Sequence, residues 1–194
     1  MREVSFPDVR FLEEHFERLD FPKVQEVLSY QPPKWARNDK RLQEEYNKWK
    51  NSRDKKIRQV YSKIQTELKT FESWDNKKLL KNAAIIAAKA VMDDLKTTQI
   101  RKIIEMAKGT HTRVNLPPRD GEASFKKEIE ASASRMMMLL AYTAGKNRNV
   151  KDFADSLQPI LAWLLENPSR ENFNRVYEFF EAIISYHRYF GGKE

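Results

Sequence analysis

The chain has 194 residues, enough for one sizeable core and a small appendage, with 40% hydrophobic and 33% charged residues and a net charge of +8. It has no cysteine, which excludes disulfide scaffolds and cysteine-rich zinc sites and suits a reducing cytoplasm. No apolar run approaches the ~20 residues that span a bilayer and no signal-peptide core opens the chain; five glycines and apolar residues at 3.6-residue spacing predict an all-α protein.

Residues 9–19 form the first predicted helix, capped by Asp8, with Phe11, Leu12, His15, Phe16 and Leu19 on one face. Pro22 suits the first turn of a second helix running to Leu28. Pro32 and Pro33 then break the chain. Residues 38–71 read as one long polar helix with a thin apolar seam that lapses across Asn51, Ser52 and Arg53, so its first half is expected to pack less firmly than the part from Ile57 onward. From Lys34 to Lys63 there are eleven Lys/Arg and four Asp/Glu. Trp35, Tyr46 and Trp49 are interleaved with these charges, which suits either base stacking or anchoring of this arm on the core.

Residues 76–109 carry the densest signal. After a hinge at 71–75, with Ser73 or Asp75 as cap, an alanine-rich helix places Leu79, Ala83, Ile86, Ala87, Ala90 and Val91 at helical spacing. A second helix is expected to start at Thr97-Thr98, bury Ile100, Ile103, Ile104 and Ala107, and stop at Gly109. Lys77, Lys78, Lys81, Lys89, Lys96, Arg101 and Lys102 lie off the apolar stripes. Between 76 and 113 nine Lys/Arg face three Asp/Glu, whereas 114–194 holds eleven of each, so the positive field is concentrated between residues 34 and 113. Such a field attracts polyanions, although a lysine-rich helix face also serves plain solubility.

A turn-rich loop is expected over 110–121, with Arg113, Arg119 and His111. The helix 122–143 follows, ended by Gly145, with Met136, Met137 and Met138 as core fillers and Arg135 interrupting its apolar face. Lys146, Asn147 and Arg148 make a basic turn. The helix 150–166 contains Pro159, which predicts a kink or an offset. The helix 169–189, capped by Ser169, is apolar over more than one face, so it is central or a subunit contact.

No glycine-rich phosphate loop, HExxH or nucleophile elbow is present, and His15, His111 and His187 are far apart in sequence. Asp93-Asp94 reads as a helix-end polar pair, because adjacent helical residues point about 100° apart. The chain is therefore expected to be no enzyme and to carry no cofactor or metal.

Three stretches together resemble the small helical subunit of type III-A CRISPR effector (Csm) complexes. They are Lys96-Thr97-Thr98-Gln99-Ile100-Arg101-Lys102 after the alanine-rich helix, Met138-Leu139-Leu140-Ala141-Tyr142-Thr143-Ala144-Gly145-Lys146, and the C-terminal run from Phe179-Phe180-Glu181-Ala182 through Tyr186-His187 to Gly191-Gly192. The resemblance covers roughly residues 77–194. It implies a non-catalytic helical bundle whose copies stack head to tail beside the subunits holding the CRISPR RNA and line the channel where target RNA pairs with it. The expected organisation is a helical, basic N-terminal extension over 1–71, partly packed on the core, and a compact bundle of about five core helices over 72–194. Expected partners are single-stranded target RNA, crRNA and other Csm subunits. Self-association is expected through stacked copies, with monomer or dimer open for the isolated chain.

Lys and Arg would neutralise phosphates on a duplex recognised by shape. The candidate RNA-binding residues are Lys78, Lys81, Lys89, Gln99, Arg101, Lys102, Arg135, Lys146 and Arg148. The family motifs support Gln99, Arg101, Lys102 and Lys146, while Arg135 is chosen because a charge on an apolar face needs a partner. The competing reading is a protein scaffold whose positive face meets acidic protein. A third makes the arm from 34 to 63 a separate nucleic-acid tether.

Overall fold

A computed structural model describes residues 4–116 and 122–194, and among these it holds eight α-helices and no strand. They are α1 (Leu12–Glu17), α2 (Phe21–Ser29), α3 (Lys40–Glu67), α4 (Asn76–Met92), α5 (Thr97–Val114), α6 (Glu122–Lys146), α7 (Lys151–Glu166) and α8 (Arg170–Tyr189), with 3-10 turns at Lys34–Asn38, Leu68–Ser73 and Arg148–Val150. The all-α expectation holds.

Helix α8 is the central element, packed on α4, α5, α6 and α7. Its broad apolar face follows from this: Phe173, Val176, Phe179, Phe180 and Ile183 are all buried. Every residue of α4 from 82 to 90 is buried, because α8, α3, α7, α1 and α2 surround it. Alanine at 83, 84, 87, 88 and 90 lets those neighbours approach the α4 backbone closely without forcing large side chains off their rotamers. Helix α6 packs on α5 and α7.

Several helix starts follow from local chemistry. The Asp75 carboxylate accepts the Lys78 amide at 2.7 Å, and the Ser169 hydroxyl accepts the Asn172 amide at 3.1 Å. Asp75→Ala is expected to cost about 1 kcal/mol, read as a fall of roughly 3 °C in the melting temperature. Asp75→Asn retains the acceptor and should lose little, and an Asn variant as damaged as the Ala variant would refute the cap. Asp8, by contrast, caps nothing. Its carboxylate binds Arg10, at 2.6 Å from the guanidinium, and this ion pair holds the carboxyl down at about 2.

Three helices end alike. After α1, α4 and α8 the chain passes through a left-handed residue: Leu19 (φ 56°), Asp94 (φ 60°) and Gly191 (φ 87°). The following amide returns to the carbonyl three residues before the helix cap: Asp20 to His15, Leu95 to Ala90 and Gly192 to His187, at 2.8 to 2.9 Å. Only the last uses the residue type that adopts this conformation at no steric cost.

The structure corrects two expected helix ends, those of α5 and α6, and shows α3 as the single long helix expected. Helix α3 runs unbroken across Asn51–Arg53, where the buried Arg53 fills the lapse in the apolar seam; its guanidinium binds Asp54 at 2.8 Å and lies 5.4 Å from the Trp49 ring centroid. Helix α5 does not stop at Gly109 but runs to Val114, where Thr110 and Val114 extend its buried stripe by another turn. Helix α6 runs to Lys146, past Gly145, and α7 contains Pro159 within its span. Of the loop expected over 110–121, residues 110–114 are thus helical, while Arg119 lies outside the described residues.

The first helices are tied to α3 by charge and aromatic packing. Glu13 binds Lys63 and, at 3.1 Å, Lys56, and the two ammonium groups hold its carboxyl below the usual range. Phe6, Tyr30, Tyr46 and Trp49 form one aromatic cluster, and the Trp49 indole donates to the Pro7 carbonyl at 2.7 Å. Tyr46 and Trp49 therefore anchor the first half of α3, whereas Trp35 is exposed.

Candidate nucleic-acid interface

The nine candidate residues separate into three groups. Those on α4 turn toward internal acids. Lys78 binds Glu67 at 3.1 Å and Lys81 binds Glu17 at 3.0 Å, reaching α3 and α1 respectively. Lys89 is buried at 5% exposure within the helix packing. Its ammonium binds Asp93 one turn on and Asp152 of α7 at 2.5 Å, and sits 5.3 Å from the Tyr61 ring centroid. Burial pushes the Asp93 carboxyl up, against the opposing pull of Lys89. The Tyr61 hydroxyl donates to the Asp152 carbonyl at 2.5 Å and contacts the Ser156 hydroxyl, closing a polar clasp between α3, α4 and α7.

Gln99 serves the backbone. Its side-chain oxygen accepts the Lys96 amide at 2.9 Å, so it caps the start of α5. A threonine of the Thr97-Thr98 pair is the expected start of this helix, but the Thr97 hydroxyl faces the buried His187 Nδ1 at 3.2 Å, and its amide donates to the Lys193 carbonyl at 2.7 Å. The His187 Nε2 lies 3.0 Å from the Leu95 carbonyl and so carries the proton, leaving Nδ1 to accept from Thr97. The C-terminal Gly191-Gly192 turn thereby clasps the start of α5.

The remaining residues point outward. On α5, Thr98, Arg101, Lys102, Glu105, Lys108 and Thr112 recur at three- and four-residue spacing, opposite the buried Ile100, Ile103, Ile104 and Ala107. Arg101 is half-buried, Lys102 and Lys108 are exposed, and none of the three forms an ion pair among the described residues. Lys108 was absent from the sequence choice, although its position seven residues beyond Arg101 marks it as the next member of the same stripe. Arg113, at the end of α5, is taken up by Glu128.

On α6, Arg135 does not interrupt the buried face of Ile129, Ala133, Met136 and Leu140. It lies on the exposed side together with Met138, Tyr142 and Lys146. Met136 alone of the methionine triplet is fully buried; Met137 is half-buried and Met138 is exposed. Arg148 follows in the 3-10 turn, exposed. From 131 to 150 the chain contains no Asp or Glu. Arg135, Lys146 and Arg148 form no ion pair among the described residues. The structure thus brings two sets of cations that form no ion pair among the described residues onto the neighbouring helices α5 and α6 and the turn that follows, and separates them from the internally paired lysines of α4.

No group of three or more His, Asp or Glu suited to a metal ion occurs among the described residues. His111 stacks on Tyr177 at 4.0 Å, His15 lies 3.6 Å from Asp20, and His187 is committed to the clasp. No described helix is long and apolar enough to cross a membrane.

Comparison with known proteins agrees with this arrangement of helices and motifs. The family described as Csm2 Type III-A matches residues 73–193. A protein of Streptococcus thermophilus described as "CRISPR system Cms protein Csm2" is similar to this chain, 32% identical over 100 residues that cover 52% of this chain and 76% of that protein. The matched span takes in the whole of the bundle from α4 to α8, including both stripes and the C-terminal clasp, and the chain belongs to the Csm2 family of type III-A CRISPR systems.

Proposed function

We propose that this protein is a non-catalytic, RNA-binding structural subunit of a type III-A CRISPR effector complex, working in the cytoplasm. Copies stack along the filament with the other Csm subunits, and their outward cations contact the backbone of target RNA and crRNA. The observation that carries the reading is the α5 stripe of Arg101, Lys102 and Lys108, none of which forms an ion pair among the described residues, so that three cations stand against the single Glu105 on that face. Exposed cations without internal partners attract a polyanion and release its counterions on binding. Arg135, Lys146 and Arg148 add a second contact, while Lys78, Lys81 and Lys89 are structural, held by Glu67, Glu17 and the Asp93–Asp152 pair. Residues 1–71 are read as an extension packed on the 72–194 bundle, since the family match begins at residue 73.

The double variant Arg101→Ala, Lys102→Ala tests this. Titrated by fluorescence anisotropy against labelled single-stranded RNA at several salt concentrations, it should bind more weakly, with a log–log salt slope shallower by about 1.4 for the two lost cations. Assembly with the other subunits should persist. Unchanged RNA affinity with failed assembly would support the scaffold reading, in which the same cations meet an acidic protein surface.

A further inference from the structure

Sequence periodicity places apolar residues inside a helix, so a large apolar side chain on the solvent side requires another explanation. On α6 two such residues stand one turn apart. Met138 is 64% exposed and Tyr142 is 61% exposed. Arg135 and Lys146 flank them on the same face, at three- and four-residue spacing. The stripe from Arg135 to Lys146 is roughly 16 Å long at 1.5 Å per residue, about the rise of five stacked nucleotides.

We infer that this face is a stacking site for unpaired RNA bases, and that it makes the protein prefer single-stranded RNA over duplex. The inference rests on the RNA-binding reading above and adds to it a discriminating residue, Tyr142. A base offers a flat apolar surface attached to a phosphate, and this stripe offers the complement: an aromatic ring and a thioether between two cations. The Lys146 ammonium lies 4.4 Å from the centroid of the Tyr142 ring. It covers one face of the ring, so a base stacks on the other, and it holds a positive charge within reach of the phosphate of that nucleotide. The Tyr142 hydroxyl has no hydrogen-bond partner among the described residues, so the ring is not held for an internal purpose.

The charge pattern favours a nucleic acid as the occupant. No acidic residue occurs between 131 and 150, and Arg148 continues the positive series past the end of the helix. A duplex keeps its bases stacked inside and offers this surface only phosphate and sugar, whereas a single strand can lay a base on Tyr142.

The test compares the wild type, Tyr142→Ala and Tyr142→Phe in anisotropy titrations. The ligands are a short labelled single-stranded RNA and the same strand annealed to its complement. Thermal melts check that each variant is folded, and Tyr142 is exposed enough for its removal to leave the fold intact. Tyr142→Ala should lose about tenfold in affinity for the single strand, with an unchanged salt slope and little effect on the duplex. Tyr142→Phe should match the wild type, since the ring and not the hydroxyl makes the contact. Equal losses on both ligands, or no loss on the single strand, overturn the stacking site while leaving the RNA-binding reading in place. Loss of assembly with other Csm subunits at unchanged RNA affinity overturns it in favour of a protein contact. A wild type that binds neither RNA at low salt overturns both readings.

Discussion

Lys89→Ala is expected to lower stability by about 3 kcal/mol, seen as a drop of roughly 10 °C in the melting temperature. The cause is not the loss of an attraction alone. The ammonium satisfies Asp93 and Asp152 at once, and truncation leaves Asp93, only 20% exposed in its side chain, as a carboxylate without its counter-charge. Asp152 is half exposed and can return to water, which keeps the cost at the lower end of the range for broken buried pairs.

The pH dependence identifies the mechanism. Burial already raises the Asp93 carboxyl above its ordinary value of 3.8, so its neutral form is the one favoured by folding. In the variant this preference grows, because the lysine that opposed it is gone. The folded state then binds the proton more tightly than the unfolded chain, and the destabilisation is largest at neutral pH and shrinks as pH falls through the raised value. Lys89→Ala combined with Asp93→Asn should therefore recover a good part of the loss at pH 7. A deficit equally large at all pH values, or no recovery in the double variant, would show that the lysine stem and not its charge matters.

Gly192→Ala is the second large effect. A methyl group built on Gly192 falls within the ring of His187, a buried side chain held from two sides by Leu95 and Thr97. The ring cannot swing away without breaking those bonds, so the tail must lift, at a cost of about 2 kcal/mol for the overlap and about 1 more for the Thr97–Lys193 backbone bond. The same clasp makes the wild type sensitive to acid. Burial lowers the His187 pKa below its ordinary 6.5, so the unfolded chain takes up a proton at a pH where the folded chain does not. The stability from the neutral ring is complete above pH 6.5 and declines as pH falls toward the depressed folded value. Melts at about pH 7.5 and 5.5 should show this decline in the wild type. A His187→Gln variant, which has no titrating ring, should show less of it, and an equal decline in both proteins would place the acid sensitivity elsewhere.

Much of the fold could be read from local pattern. Asp75 and Ser169 announce their helices because a cap acts over three residues, within the reach of sequence inspection. The excess of apolar residues on α8 announced a central helix, since a helix apolar on several sides has to be surrounded. What could not be read was the fate of the lysines. Lys81 and Lys89 find their acids on α1 and α7, and no periodicity within α4 carries information about those helices. Arg135 misled for the opposite reason. Its neighbours Met137, Met138 and Leu139 are apolar, which suggests a core face, but Arg135 stands on the solvent side with the exposed Met138 while Met137 and Leu139 are half-buried. Gly109 was misjudged because glycine permits a helix end without requiring one.

The clasp at His187 also gives the order of synthesis a structural meaning. Helix α5 is the second of the five bundle helices to be made, yet the acceptor for its Thr97 amide is the Lys193 carbonyl, and all of α5 to α8 lies between them. On the ribosome the start of the basic helix is left with an open backbone donor until residues 187–193 have emerged. The helix offering the unneutralised cations is thus among the earlier ones translated and the last to be secured. A nascent chain that stalls before α8 carries the cations of the proposed interface without the geometry that presents them.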